Sequence, residues 1–140
     1  MAYRFIKGDL LETNADIICH QVNLQGVMGG GLAYSIANKF PEVNDKYVNF
    51  PNKRLGNVCF ANAGDFIVAN CFSQTIDFWT DYQALKGCLI RTRMYMNAFN
   101  LKTVAIPYKY GCGIAKGNWK TVFDIFKDVF SDFELLIYQK

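Results

Sequence analysis

Histidine is nearly missing from this chain: His20 is the one imidazole in 140 residues. The five cysteines, Cys19, Cys59, Cys71, Cys88 and Cys112, are odd in number and form no C-x-x-C pair. A zinc site is therefore not expected, and no metal is assigned. No apolar run approaches the roughly 20 residues that cross a bilayer, and Met1–Ala2–Tyr3–Arg4 leads straight into a strand-like segment with no signal-peptide pattern. No Lys/Arg run forms a nucleic-acid stripe; Lys53–Arg54 and Arg91/Arg93 are the nearest clusters. Low-complexity tracts, linkers and internal repeats are absent too. A cytoplasmic, reduced, monomeric protein without membrane or nucleic-acid partners is expected.

What is present suits a packed domain. Hydrophobic residues make up 51% and aromatics 16%, against 19% charged, so disorder is excluded and residues 1–140 read as one domain. The net charge of +3 is mild and suits a small anionic ligand.

The stretch from Ile17 to Phe40 organises the rest. Ile17 and Ile18 sit in a buried strand. Asn23 to Gly31 has neither helix nor strand period, holds four glycines and carries no charge. From Leu32 the period becomes helical, with Leu32, Ile36 and Phe40 four apart. Gly29, Gly30 and Gly31 thus sit where a helix opens. That helix end has unpartnered N–H groups and partial positive charge, so it attracts an anion, and glycine lets a phosphate approach the backbone. Gly26 and Gly31 have the spacing of G-x-x-x-x-G-K-[ST], but Leu32 and Ala33 stand where Lys and Ser/Thr belong. G-x-G-x-x-G is met only loosely, and Asn49–Phe50–Pro51 supplies no acid for a ribose. These departures exclude a nucleotide triphosphatase and an NAD dehydrogenase.

Along the chain, strands are expected at Tyr3 to Lys7, Ala15 to Gln21, Asn57 to Ala61, Phe66 to Cys71, Thr103 to Ile106 and Glu134 to Tyr138. Asn62 to Asp65 reads as a hairpin turn. Helices are expected from Leu32 to Phe40, from Pro41 to about Phe50, from Asp81 to Asn100 and from about Trp119 to Phe130. In the third, Leu85, Leu89, Thr92, Met96 and Phe99 share a face, and Thr80 or Asp81 caps it. A second glycine-rich junction, Gly111 to Gly117, also lies between a strand and a helix. The pattern predicts a three-layer α/β/α fold with a mixed, mostly parallel central sheet. Two glycine loops on one edge of that sheet would hold two phosphates, or one pyrophosphate from both sides, which points to a dinucleotide-like ligand.

Gly8–Asp9–Leu10, Ile17 to Asn23, Gly29 to Ala33 and Gly111–Cys112–Gly113, in that order and spacing, resemble a macrodomain, the ADP-ribose-binding module. The resemblance covers nearly the whole chain and implies the macrodomain fold. It implies that Asp9, beside Leu10, accepts from the adenine amino group and that Asn23 contacts the distal ribose. It makes Gly29, Gly30, Gly31 and Leu32 the first pyrophosphate loop, and Gly111, Cys112, Gly113 and Ile114 the second. No cofactor is implied. The partner is ADP-ribose or a derivative, with an ADP-ribosylated protein as a further one.

The overall sequence is most similar to the branch that removes ADP-ribose from glutamate and cleaves acylated ADP-ribose. Its catalytic Lys and Asp would match Asn70 or Cys71 and Ala115 here, and the Asp of another hydrolase branch would match Ala33. Small ADP-ribose-1″-phosphate phosphatases share Cys19 to Asn23, Gly29 to Tyr34 and Ile137–Tyr138–Gln139. On that resemblance His20 and Asn23 are the catalytic candidates, His20 as a proton shuttle or phosphate-stabilising group. Two functions follow: hydrolysis of a bond at the distal ribose, or reading of ADP-ribose without turnover. Ser73, Gln74, Trp79, Tyr82 and Tyr110 are further polar or aromatic candidates near the cleft.

Overall fold

The computed structural model describes residues 2–140. Six strands form one sheet: β1 (Ala2–Lys7), β2 (Ile17–Val22), β3 (Val58–Asn62), β4 (Ile67–Phe72), β5 (Thr103–Pro107) and β6 (Glu134–Gln139). Their order is β1-β6-β5-β2-β4-β3. All neighbours are parallel except the β3–β4 hairpin. The mixed, mostly parallel sheet is as expected.

Helices α1 (Gly31–Lys39) and α2 (Pro41–Val48) cover one face, and α3 (Tyr82–Ala98) and α4 (Trp119–Val129) the other. The period-2 alternation of β2 assigns its residues to the two layers. Ile17 and Cys19 pack with Leu85, Leu89 and Phe126, whereas Ile18 and Val22 pack with Ile36, Val43 and Tyr47. Burial of each large aliphatic side chain contributes about 2 kcal/mol.

Boundaries moved by one to two residues. β2 begins at Ile17 rather than Ala15, α2 stops at Val48, and β3 and β4 each start and end one residue later than expected. The third helix ends at Ala98, before Phe99, which is 63% exposed and leaves the apolar stripe of Leu85, Leu89, Thr92 and Met96. Asp81 is its cap, accepting from the Ala84 N–H at 2.9 Å. Gly8–Asp9–Leu10 leads into a single 3-10 turn, Leu10–Glu12, that Asp9 caps. Four cysteines are buried, Cys112 is half-buried, and all five are free thiols.

After β2 the chain moves toward β4, whereas after β5 it moves toward β6. The strand order therefore reverses between β5 and β2. The two glycine-rich loops leave the carboxyl ends of those two strands, where a crevice opens in sheets of this kind.

Candidate functional site: a cleft between two glycine loops

The loops after β2 and β5 line one cavity of about 870 Å³. Its walls include Gly29, Gly30, Gly31 and Leu32 from the first loop, and Gly111, Gly113 and Ile114 from the second. A second cavity of about 710 Å³ contains Asp9 and Leu10 and shares Leu32 and Pro107 with the first. The residues expected to bind a ligand, Cys112 excepted, thus line one or other of two adjoining cavities.

Residues with unpaired backbone donors line the larger cavity from both glycine loops. The α1 N-terminus has no side-chain cap. The N–H groups of Gly31, Leu32 and Ala33 on one side, and of Gly113, Ile114 and Ala115 on the other, have no partner among the described residues. Two rows of unpaired donors, one at a helix start, are a backbone arrangement that suits an anion. The glycines divide by role. A Cβ at Gly30 or Gly113 would meet nothing within 4 Å, so packing does not require glycine there. A Cβ at Gly111 would lie 2.7 Å from Thr80 Oγ1, at a φ of +67°, and one at Gly117 would lie 2.6 Å from the Gly111 carbonyl. Gly111 and Gly117 shape the loop; Gly30 and Gly113 leave room for a ligand.

Each loop is braced from behind. The Tyr47 hydroxyl, on α2, lies 2.7 Å from both the carbonyl and the Oδ1 of Asn23 and donates to one of them at a time. Burial pushes the Tyr47 phenol up to about 12, so it stays a donor. Asn23 Oδ1 also accepts from the Gln25 and Val27 N–H groups, and its Nδ2 donates to the Val27 carbonyl at 2.8 Å. Asn23 lines the cavity, yet both ends of its amide hold its own loop. In the second loop Thr80 Oγ1 donates to the Gly111 carbonyl at 2.6 Å and accepts from Gln21 Nε2 at 3.1 Å. Ser73 Oγ pairs with the Tyr110 hydroxyl at 2.7 Å.

His20 is 1% exposed at the cavity floor and lies beside Asn70 in the β2–β4 register. Asn70 Nδ2 donates to the Cys59 carbonyl at 2.9 Å. That bond turns Asn70 Oδ1 toward His20 Nε2, 2.6 Å away. Nε2 therefore carries the proton, and the buried Nδ1 keeps a bare lone pair without a partner. Burial pulls the imidazole down to about 4, against a smaller upward pull from Asn70. Near neutral pH His20 is an uncharged acceptor rather than a proton shuttle of ordinary pKa.

The remaining candidates separate. Cys112 packs against the core and its Sγ donates to the Tyr110 carbonyl, so only its backbone belongs to the loop; burial pushes its thiol up. Tyr110 is 1% exposed and cannot stack on a ligand. The Tyr82 hydroxyl accepts from the Asn118 N–H. Trp79 is half exposed beneath the Lys116 ammonium. Gln74 lines the cavity and donates to Gln21 Oε1. Tyr47 and Phe78 escaped the sequence reading, and Thr80 was read there only as a helix cap, a role that Asp81 fills. Gln21 was quoted there without a role. The β2 alternation that sends His20 to one face and Gln21 to the other was a usable signal. Nothing local marks Phe78 or Tyr47.

No family model matches the chain. A macrodomain of Mycobacterium tuberculosis DarG superposes with a TM-score of 0.88 at 21% identity, over 99% of this chain and 97% of that one. A Trypanosoma brucei macrodomain solved in complex with ADP-ribose gives a TM-score of 0.79 at 12% identity, over 99% of this chain and 64% of that one. The chain has the macrodomain fold. In sequence it is similar to an ADP-ribose 1″-phosphate phosphatase of Candida glabrata, 32% identical over 61% of this chain and 42% of that protein. The match thus spans under half the length of that relative.

Proposed function

We propose that the cleft binds ADP-ribose or a derivative and that the protein hydrolyses a bond at its distal ribose. ADP-ribose-1″-phosphate, an O-acyl-ADP-ribose and an ADP-ribosylated side chain are the candidate substrates. One observation carries this reading. Two rows of unpaired N–H groups, Gly31 to Ala33 and Gly113 to Ala115, belong to residues that line one cavity, and nothing among the described residues fills the space beside Gly30 and Gly113. A pyrophosphate between them would receive donors from both sides. Asp9 and Leu10 then take the adenosine end in the second cavity, and Asn23 faces the distal sugar. The ADP-ribose in the T. brucei macrodomain and the printed activity of the C. glabrata relative support the same ligand class.

Catalysis in this reading rests on positioning and on charge stabilisation by the two loops. His20 Nε2 is committed to Asn70, so the ligand's own phosphate is the better base for a water. A second reading, a reader without turnover, is favoured by the lining itself. Among the described residues Lys109 is the one charged side chain on the larger cavity, and no acid lines it.

Mass spectrometry of ADP-ribose-1″-phosphate and O-acetyl-ADP-ribose incubated with the protein tests the pair. Consumption of either substrate, slowed in Asn23→Ala, establishes the hydrolase. Survival of both, with free ADP-ribose bound in calorimetry, leaves the reader. Absence of ADP-ribose binding removes both.

A further inference from the structure

We propose that strand β1 is a docking edge for a second copy of this chain, paired antiparallel across a two-fold axis at Phe5. The inference is independent of the ADP-ribose reading, since no residue of β1 lines either cavity. It stands against the monomer expected from the sequence.

The sheet has two edges, and they differ. The side chains of β3 are covered: Val58, Cys59 and Ala61 are buried, and Phe60 stacks on Tyr95 of α3 with 4.1 Å between ring centroids. In β1 every residue but Ile6 is exposed. The strand keeps an unbroken register from Ala2 beside Glu134 to Lys7 beside Gln139, with no bulge, proline or glycine inside it. Natural sheets seldom leave such an edge bare.

The open side presents its main-chain groups in a fixed order. The Gly8 N–H donates to the Gln139 carbonyl, so alternation along the strand turns the main-chain groups of Ala2, Arg4 and Ile6 toward β6. Those of Tyr3, Phe5 and Lys7 turn outward and have no partner among the described residues. Tyr3 and Phe5 add apolar surface. Their rings rest on Phe123 of α4, with centroids 5.4 and 5.5 Å away, yet they stay 43% and 55% exposed. Ile6 lies on the other face, against the layer of α1 and α2.

The order of residues in the strand selects its own copy as the occupant. Antiparallel pairing centred on Phe5 sets Tyr3 opposite the second copy's Lys7, Phe5 opposite Phe5, and Arg4 opposite Ile6. Every outward N–H and C=O then finds its complement, because residues facing each other at these positions exchange both N–H···O bonds. Two aromatic rings meet on the axis, and an ammonium faces a phenol ring; both are favourable cross-strand pairs. No like charges stand directly opposite. A register shifted one way sets Arg4 against Arg4, and one shifted the other way leaves Tyr3 opposite Asp9, beyond the strand. An acidic peptide is the weaker occupant, because the cations here already have partners. Arg4 lies 3.2 Å from Glu134, and Lys127, over the Tyr3 ring, lies 3.5 Å from Asp124. An interface made of the same strand twice closes on itself, so the assembly stops at a dimer.

Sedimentation velocity of the full chain, from about 1 µM to about 1 mM, tests this. One strand pair is a small interface, so a dimer with a Kd of about 10–100 µM is expected. Phe5→Glu and Phe5→Lys each set like charges face to face on the axis and should weaken self-association by about tenfold or more. Mixed in equal amounts at low salt, the two variants should form a heterodimer. Tyr3→Glu, facing Lys7, should tighten the dimer roughly threefold at low salt, and Tyr3→Lys should weaken it by about as much. The Tyr3 pair carries the test on its own should the Phe5 variants fail to fold. A chain that stays monomeric throughout, a dimer that the charged variants leave unchanged, or folded Phe5 variants that do not associate when mixed overturns the inference.

Discussion

The two glycine loops do the same thing by different means. The first leans on helix α1, and its brace comes from below: the Tyr47 hydroxyl fixes Asn23, and Asn23 folds the loop back on itself. The second has no helix behind its donors. Its brace comes from the neighbouring loop, through Thr80 on the Gly111 carbonyl and Gln21 on Thr80. Their floors differ too. Under the first is His20, a buried imidazole with one orphaned nitrogen; beside it on β2, Gln21 under the second is an amide with partners on both ends. One pattern in the sequence, glycines between strand and helix, thus yields two loops with unpaired backbone donors whose stabilities depend on unrelated side chains.

The sharpest way to break the comparison is to separate loop-shaping from ligand-facing glycines. Gly117→Ala forces a Cβ against the Gly111 carbonyl, which is backbone and cannot step aside. It should cost about 3 kcal/mol and lower Tm by about 10 °C. Gly113→Ala, in the same loop, should leave Tm within about 2 °C and weaken ADP-ribose roughly tenfold by intruding on the anion. Thermal melts and calorimetry on the pair check this; equal Tm losses would mean that both glycines are structural.

The floors are distinguished by pH. Unfolded, His20 titrates near 6.5, and folded near 4. Between those values the unfolded chain binds more protons, so stability is full above pH 6.5 and falls as pH drops toward 4. The loss is on the order of 3 kcal/mol across that window. Denaturant midpoints of the wild type and His20→Gln across that range should converge on acidification; parallel curves would mean that His20 is hydrated and titrates normally.

The braces give the smallest effects. Tyr47→Phe strips a buried donor from Asn23 and should cost about 2 kcal/mol, while Thr80→Val, at a half-buried site, should cost about 1 kcal/mol. Chemical denaturation of both variants ranks them, and a larger loss at Thr80 would reverse the assignment of the stronger brace.

Much of this was legible along the chain. Gly29 to Gly31 and Gly111 to Gly113 were recognisable from local order, and both line the cavity by at least two of their residues. The His20 and Asn23 readings show where local order stops. Their neighbourhood along the chain fits a ribose site, but their chemical states come from Asn70 on β4 and Tyr47 on α2. Phe78 carries no local mark, since its exposure depends on where the β4–α3 loop crosses the cleft.

By itself the sequence determined the alternation of elements, the apolar faces of the helices and the placement of glycine at two strand ends, because periodicity and backbone freedom are properties of neighbouring residues. Only the tertiary structure decided the strand order that brings β2 beside β5, the tautomer and neutrality of His20 and the commitment of Asn23 to its own loop. Burial, hydrogen-bond partners and local charge are set by residues distant along the chain, and they meet only when the sheet forms.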